Sequence, residues 1–260
     1  MRAASYTILR ATASLSAPFA QLNLRRSGLR VLMFHDVNAP DDTCFDNIYS
    51  MRRGTFVSMI SALRDFSWEF ELPFCHIDSQ SNRGLVLTFD DGLQSVADTV
   101  FPILGELGIP FHVFISTESV NAGDERYLDP SAVRQLSESP LCNIGSHGHS
   151  HIALDSVRHS DLVVNLQQSC DLLAAWTGTV PTTFSYPFGR FSADTTKALK
   201  ESGFRYGFTS NAGIYHSPEQ DLEIPRIDIW SRDSPSTVVR KATGSWNKIL
   251  RFVFSVASRE

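Results

Sequence analysis

The sequence predicts an α/β fold, a (β/α) barrel of about seven parallel strands, from two observations. From residue 29 onward, short apolar segments alternate with longer segments whose apolar residues recur at helical spacing. A repeated strand-then-helix order is typical of a parallel sheet, which is most economically closed into a barrel. The chain has 260 residues, 42% of them hydrophobic, which suits one such domain. An open doubly wound sheet is the competing architecture, but neither GxGxxG nor GxxxxGK[ST] nucleotide motifs are present.

The predicted elements follow one another in chain order. Strands are predicted at 29–35, 74–77, 85–88, 111–115, 182–185, 206–209 and within 222–230, with a further apolar segment at 142–144. Helices are predicted at 55–66, 94–107, 130–138, 160–176 and 193–202. Local signals support the boundaries, because Asp129 can cap a helix start and glycines at 108 and 203 can end helices.

Composition argues against nucleic-acid binding and against disulfide or thiol chemistry. The formal net charge is −5 and the basic residues form no long run, so no nucleic-acid partner is expected. The four cysteines have no CxxC spacing in a chain large enough to fold without disulfides. Reduced core thiols are therefore expected at Cys44, Cys75, Cys142 and Cys170.

The two ends of the chain differ in composition from the predicted domain at 29–232. Residues 1–28 are rich in arginine and lack acids, which favours an amphipathic extension that docks on the domain or on a membrane. Residues 233–260 form a basic amphipathic pattern that predicts either peripheral membrane contact or helices closing the barrel. A cytoplasmic, membrane-associated location is expected. The alternative is a secreted or organellar location, reached after cleavage of a targeting segment.

The apolar run at 85–89 ends abruptly in Asp90, Asp91 and Gly92. Carboxyl ends of strands are where α/β folds usually place their chemistry. Neighbouring residues on an extended segment point in opposite directions, so the two carboxylates suit two separate roles. The alternative is that Asp91 merely caps the following helix.

A histidine cluster, SHGHSH at 146–151, follows another apolar segment. On a helical turn His147 and His151 would share a face, whereas on an extended segment His149 could replace one of them. Two imidazoles and a carboxylate from another strand end make a metal site with open positions. The histidines outside the cluster and the first strand are interpreted as ordinary polar residues: His76, His112, His159 and His216.

Residues 88–92, TFDDG, and 146–151 resemble the first two signature motifs of the polysaccharide deacetylases, the NodB-homology carbohydrate esterases. The resemblance extends over about 29–230 and implies a distorted (β/α) barrel with one divalent metal ion, commonly zinc, with cobalt, nickel, manganese or iron as alternatives. It implies that Asp90 is the general base. It also implies three metal ligands, Asp91, His147 and His151, and leaves His149 as an auxiliary candidate.

A third family motif appears in a variant form, FSYPFGR at 184–190, in which the family arginine is replaced by Ser185. The resemblance implies that this loop lines the pocket through Tyr186, Pro187 and Phe188, and that a backbone N–H near Phe188 helps to hold an oxyanion. Arg226, in a late strand, is the candidate that replaces the missing arginine and keeps Asp90 ionised, with Asp228 in support. The alternative for Arg226 is a surface ion pair.

The family's late Leu-x-His motif has no counterpart after Arg226. Instead, VLMFHD at 31–36 resembles the amino-terminal Met-aromatic-His strand of poly-N-acetylglucosamine deacetylases, which implies that His35 is the general acid and makes Asp36 an auxiliary candidate. A capped structural histidine is the alternative.

Together, these resemblances imply a metal-dependent hydrolase that removes N-acetyl groups from an amino sugar in a polysaccharide or glycan precursor. The alternatives are a phosphoesterase or O-deacetylase, and a catalytically silent glycan-binding module.

Overall fold

The computed structural model describes residues 28–37, 47–216 and 218–244. Its strands are β1 (Gly28–Phe34), β2 (Arg83–Phe89), β3 (Phe111–Ile115), β4 (Cys142–Ser146), β5 (Thr183–Ser185), β6 (Tyr206–Ala212) and β7 (Ile224–Asp228). Each strand pairs in parallel with the next, and β7 pairs in parallel with β1. The strands therefore form a closed barrel in chain order, which confirms the predicted fold class.

Helices connect the strands around the outside of the barrel. They are α1 (Arg53–Phe70), α2 (Phe101–Glu106), α3 (Thr117–Asn121), α4 (Pro130–Ser137), α5 (His159–Thr177), α6 (Ala193–Glu201) and α7 (Pro235–Ala242). A π-helical turn, Val96–Val100, leads into α2. The predicted cap of α4 is present, because the Asp129 carboxylate accepts a hydrogen bond from the Ala132 N–H at 2.8 Å.

The predicted strand at 74–77 is wrong. Only an isolated parallel bridge between Phe74 and Leu85 forms there. Pairing of β2 with β3 begins at Leu87, so the start of β2 has backbone groups free to bond this short segment. The segment is too short and irregular to extend the barrel.

Side-chain alternation divides the strand residues between two apolar clusters. Leu32, Leu85 and Leu87 belong to the larger cluster, which includes the buried face of α1. Val31 and Val86 belong to a second cluster with Phe114, Phe208 and Ile224, which fills the barrel interior. Towards the carboxyl ends of the strands, the inward positions become polar, and this is where the candidate site lies.

The first helical part of the carboxyl-terminal segment belongs to the core. In α7, Val238 and Ala242 are fully buried in the larger cluster, which also contains the buried face of α1. Residues 1–27 and 245–260 lie outside the described residues, so the amphipathic extension, the membrane contact and the three-segment organisation stay predictions. Among the helices that the structure describes, none is long and apolar enough to cross a membrane. Cys75, Cys142 and Cys170 are buried free thiols, whereas Cys44 is not described.

Candidate active site

The turn after β2 separates the two adjacent aspartates. Asp91 has φ 76° and Gly92 has φ 73°, so two consecutive left-handed residues reverse the chain direction. Asp tolerates this conformation better than most residues, and a Cβ at position 92 would lie 3.3 Å from Ile115. The Asp90 carboxylate joins the buried arginine Arg226, whereas Asp91 faces two imidazoles. Asp91 is therefore not a helix cap; the helical segment begins only at Val96.

Among the described residues, one group of side chains could hold a metal ion: Asp91, His147 and His151. Their ligand atoms all lie within 4.8 Å of one another. Asp91 Oδ1 is 3.4 Å from His147 Nε2 and 3.3 Å from His151 Nε2. Tetrahedral coordination with bonds of about 2.0–2.1 Å puts neighbouring ligand atoms about 3.3–3.4 Å apart, so the arrangement fits a zinc-sized cation.

The His147 imidazole is oriented by its second nitrogen. The Nδ1–H donates to the Ser185 carbonyl oxygen at 2.7 Å, which leaves Nε2 as the nitrogen that faces Asp91 and His151. The backbone N–H of His147 donates to the Ile115 carbonyl at 2.8 Å, so the neighbouring strand fixes its position. Such support from a second layer of residues is typical of metal-binding histidines.

The loop at 147–151 is neither a helical turn nor an extended strand, so both expectations for its conformation are wrong. Gly148 has φ 81°, and this left-handed residue breaks the regular backbone after β4. His149 Nδ1 lies 3.0 Å from the Thr117 hydroxyl oxygen, and the His149 N–H donates to Asn165 Oδ1 at 2.9 Å. His149 is therefore a residue that holds the loop, outside the three-ligand group.

Asp90 and Arg226 form a buried bidentate pair, with exposed fractions of only 2% and 1%. Both Arg226–Asp90 hydrogen bonds are 2.7 Å long. The remaining guanidinium donors bond the Thr88 hydroxyl, the Ser185 hydroxyl and the Thr209 carbonyl. All five Arg226 donors thus have acceptors, and the alternative of a surface ion pair is excluded.

Electrostatics keeps both aspartates ionised. Burial alone would raise the pKa of Asp90, but the Arg226 guanidinium and the nearby His147 hold it below its usual value. Burial is likewise outweighed at Asp91, where hydrogen bonds from His147 and His151 hold the pKa well below its usual range. Conversely, Asp91 and Asp90 raise the pKa of His147 despite its burial. A proton on His147 therefore competes with a metal ion for the same nitrogen.

His35 follows β1 directly and stands at the same end of the barrel. Its ring lies against Tyr49, with centroids 4.4 Å apart. His35 Nδ1 and Asp228 Oδ1 are both buried and have no hydrogen-bond partner among the described residues. Burial raises the pKa of Asp228, and this is opposed by the hydrogen bond from Trp230 and by the charges of Lys241, His35 and Arg226. The other oxygen, Asp228 Oδ2, accepts from the Trp230 indole N–H at 2.6 Å.

The structure places the two auxiliary aspartates, Asp228 and Asp36, outside the group of proposed metal ligands. Asp228 does not hydrogen-bond Arg226; its carboxylate instead accepts from the Trp230 indole N–H, although the charge of Arg226 also acts on the pKa of Asp228. The Asp36 carboxylate accepts a hydrogen bond from the Ser50 hydroxyl, and its backbone bonds Tyr49 and Met51. Asp36 thereby holds the segment that carries Tyr49 against His35.

The loop after β5 corrects one expectation about the pocket wall. Tyr186 is fully buried, and its hydroxyl donates to the Leu222 carbonyl at 2.7 Å, so its side chain belongs to the core. Pro187 is also buried. Phe188 is 62% exposed, has φ 59°, and its ring centroid is 4.6 Å from that of His151. Of the three, Phe188 offers side-chain surface beside the ligands.

Sequence reasoning missed three residues that complete the site. Ser185 donates to Asp90 Oδ2 at 3.0 Å and accepts from Arg226 at 2.9 Å. Its place at the end of β5 was a usable signal. Tyr49 and Trp230 lie in irregular segments, where no periodic pattern indicates which way a side chain points.

The chain is similar to known proteins in sequence and in fold. The polysaccharide deacetylase family model matches residues 78–207. The poly-beta-1,6-N-acetyl-D-glucosamine N-deacetylase of Staphylococcus epidermidis is 27% identical over 173 residues, which cover 62% of this chain and 60% of that protein. The protein of the same name from Staphylococcus aureus MRSA252 is 25% identical over 216 residues, which cover 77% of this chain and 74% of that protein.

Solved structures share the fold. The Streptococcus pyogenes deacetylase PplD, in complex with acetate, has a TM-score of 0.74 at 18% identity, covering 83% of this chain and 98% of that one. IcaB from Ammonifex degensii has a TM-score of 0.71 at 22% identity, covering 84% and 98%. Because the family model matches half of the 260 residues, the chain belongs to the polysaccharide deacetylase family and is an enzyme that acts on amide bonds in glycans.

Proposed function

We propose that this protein hydrolyses the N-acetyl group of an acetylated amino sugar within a polysaccharide or glycan precursor. The observation that carries this proposal is the pairing of two unlike carboxylates. Asp90, buried and held by Arg226, adjoins Asp91, which faces His147 and His151. A proton acceptor therefore stands next to a metal-ligand group at the carboxyl ends of the barrel strands.

Asp91, His147 and His151 would hold one divalent cation, with zinc favoured and cobalt, nickel, manganese or iron as alternatives. When bound, such a cation supplies Lewis-acid polarisation of the acetyl carbonyl and a lowered pKa for water. The donor set of two imidazoles and one carboxylate, with ligand spacings of 3.3 and 3.4 Å, supports zinc.

Asp90 accepts the proton that the attacking water loses. Its lowered pKa keeps it ionised near neutral pH, as a general base must be. Oδ2 already accepts from Arg226 and Ser185, whereas Oδ1 accepts, among the described residues, from Arg226 alone. Oδ1 therefore retains a lone pair for the incoming proton. The bidentate contact fixes the direction of that lone pair.

His35 donates a proton to the departing amine nitrogen. An amine leaves poorly as an anion, so its protonation is needed for the C–N bond to break. Contact with Tyr49 restricts the ring, with centroids 4.4 Å apart. A backbone N–H near Phe188 is proposed to assist the oxyanion, and the exposed Phe188 ring offers an apolar surface to the substrate.

The names of the staphylococcal relatives support an N-acetylglucosamine polymer as the substrate class. The experiment loads the protein with zinc and measures acetate release from an N-acetylglucosamine oligomer, beside an O-acetylated sugar and a phosphate ester. We expect release from the N-acetylated oligomer and one bound metal ion per chain. Turnover of the phosphate ester or O-acetyl sugar alone, or glycan binding without turnover, would contradict the proposal.

A further inference from the structure

The segment between β7 and α7 reaches His35 by two separate routes. Trp230 donates its indole N–H to Asp228 Oδ2 at 2.6 Å, and the other oxygen, Asp228 Oδ1, is buried and, like His35 Nδ1, has no hydrogen-bond partner among the described residues. On the second route, the Ser231 N–H donates to the Ile48 carbonyl at 2.7 Å, next to Tyr49, whose ring lies on His35. The conformation of residues 229–233 therefore affects both the Asp228 carboxylate and the segment that carries Tyr49 against His35.

That conformation is fixed by a buried ion pair from α7. Lys241 Nζ lies 2.6 Å from Asp233 Oδ2, and both side chains are 1% exposed or less. The same Asp233 oxygen accepts from the backbone N–H of Trp230 at 2.9 Å. Lys241 Nζ also donates to the Asp228 carbonyl at 2.8 Å and lies 4.2 Å from the centroid of the Trp230 ring. One ammonium group thus touches the backbone, the ring and the turn that determine where Trp230 points.

Packing alone does not require a charge at this position. Val238 and Ala242 already bury apolar surface on the inner face of α7. A buried ion pair is often no more stabilising than apolar residues of similar volume, because both charges lose their hydration. What the pair provides, and an apolar residue would not, is a set of directional hydrogen bonds to Asp228 and Asp233.

We propose that Lys241 is a positioning residue for the deacetylation reaction, holding Trp230, and through it Asp228, in the orientation that aligns His35 with the leaving amine. The inference rests on the proposed function. A displaced proton donor slows only a reaction whose leaving group needs a proton. Lys241 should therefore affect amide hydrolysis much more than hydrolysis of an ester with a good leaving group.

The test compares kcat and KM of the zinc-loaded protein for an N-acetylglucosamine oligomer and for 4-nitrophenyl acetate, below the unfolding temperature. Lys241→Met should lower kcat for the amide by about 10-fold or more, with KM nearly unchanged and ester turnover retained. Lys241→Arg should recover part of the loss. The matched control is Val238→Ala, which weakens the packing of α7 and should lower Tm while leaving the amide-to-ester ratio of kcat unchanged.

A second variant keeps the inference testable if Lys241→Met does not fold. Trp230→Phe removes the N–H that bonds Asp228 and should lower the same ratio. In the double variant the two losses should not add, since both act on one contact. A folded Lys241→Met or Trp230→Phe protein whose amide-to-ester ratio of kcat equals that of the wild type would overturn this inference but not the proposed function. A wild-type protein inactive on every N-acetylated sugar would instead remove the proposed function, and this inference with it.

Discussion

Replacing Arg226 by methionine removes the positive charge that opposes the burial of Asp90. The guanidinium makes two 2.7 Å bonds to this carboxylate, and the Ser185 hydroxyl is the other side-chain donor to it within the described part of the chain. An opposite charge at this distance typically lowers a carboxyl pKa by about 1–3 units. Without the guanidinium, the carboxylate form of Asp90 loses stabilisation and its pKa rises. The acidic limb of the pH–activity profile should therefore move to higher pH.

Stability should change with a defined sign. In the wild type the pKa of Asp90 is lowered on folding. Asp90 therefore stabilises the fold at any pH above its unfolded pKa of about 3.9. This stabilisation is lost as the pH falls through the pKa that Asp90 has in the folded protein. In the Arg226→Met protein, burial of Asp90 is less opposed and the folded pKa rises. Breaking a buried pair costs about 3–5 kcal/mol at neutral pH. As the pH falls, Asp90 of the Arg226→Met protein becomes protonated. The difference in unfolding free energy between this variant and the wild type should therefore shrink.

Urea unfolding between pH 4 and pH 8, together with pH–activity profiles, measures both effects. Arg226→Lys keeps the charge but not the two-bond geometry, so its acidic limb should move less while kcat still falls. Arg190→Met is the matched control, because Arg190 pairs with Asp155 on the surface, where its side chain is 58% exposed. A folded Arg226→Met protein whose acidic limb stays at the wild-type pH would refute the account of Asp90.

Two further predictions concern the proton donor and the loop after β5. His35→Ala should retain the metal and the hydrolysis of 4-nitrophenyl acetate but lose acetate release from an N-acetylated sugar, and equal loss of both reactions would argue against His35 as the acid. Gly189→Ala should destabilise the fold by about 1–3 kcal/mol or more, because Gly189 has φ 66° and a Cβ would lie 1.8 Å from Ser210 Oγ. Gly105→Ala, with open space around the Cβ in α2, should instead be neutral or stabilising in thermal unfolding.

The contact between Arg226 and Asp90 joins positions 136 residues apart and was nevertheless expected from the sequence. The expectation came from the family resemblance, in which Arg226 in a late strand replaces the arginine missing at Ser185. The structure gives the physical reason, because β2 and β7 both flank β1 and their carboxyl ends face one barrel interior. The three metal-ligand candidates were found for a similar reason, since Asp91 and His147 closely follow parallel strands whose ends meet at one edge.

Loop conformation is what the sequence patterns did not determine. The side chain of Tyr186 is buried because its hydroxyl finds the Leu222 carbonyl, and no periodicity signals this contact. The roles of Trp230 and Lys241 depend on a turn closed by Asp233, in which one carboxylate oxygen has two donors. Such turns depend on tertiary contacts that local propensity does not encode.

The most direct test of the central claim measures metal content and acetate release on the same samples of wild-type, Asp90→Asn and His147→Ala protein. The account predicts that Asp90→Asn binds nearly the wild-type amount of zinc but releases no acetate from an N-acetylglucosamine oligomer. It predicts that His147→Ala, which removes a ligand from the three-residue group, loses both. Full turnover by the Asp90→Asn protein would contradict the separate roles assigned to the two adjacent aspartates.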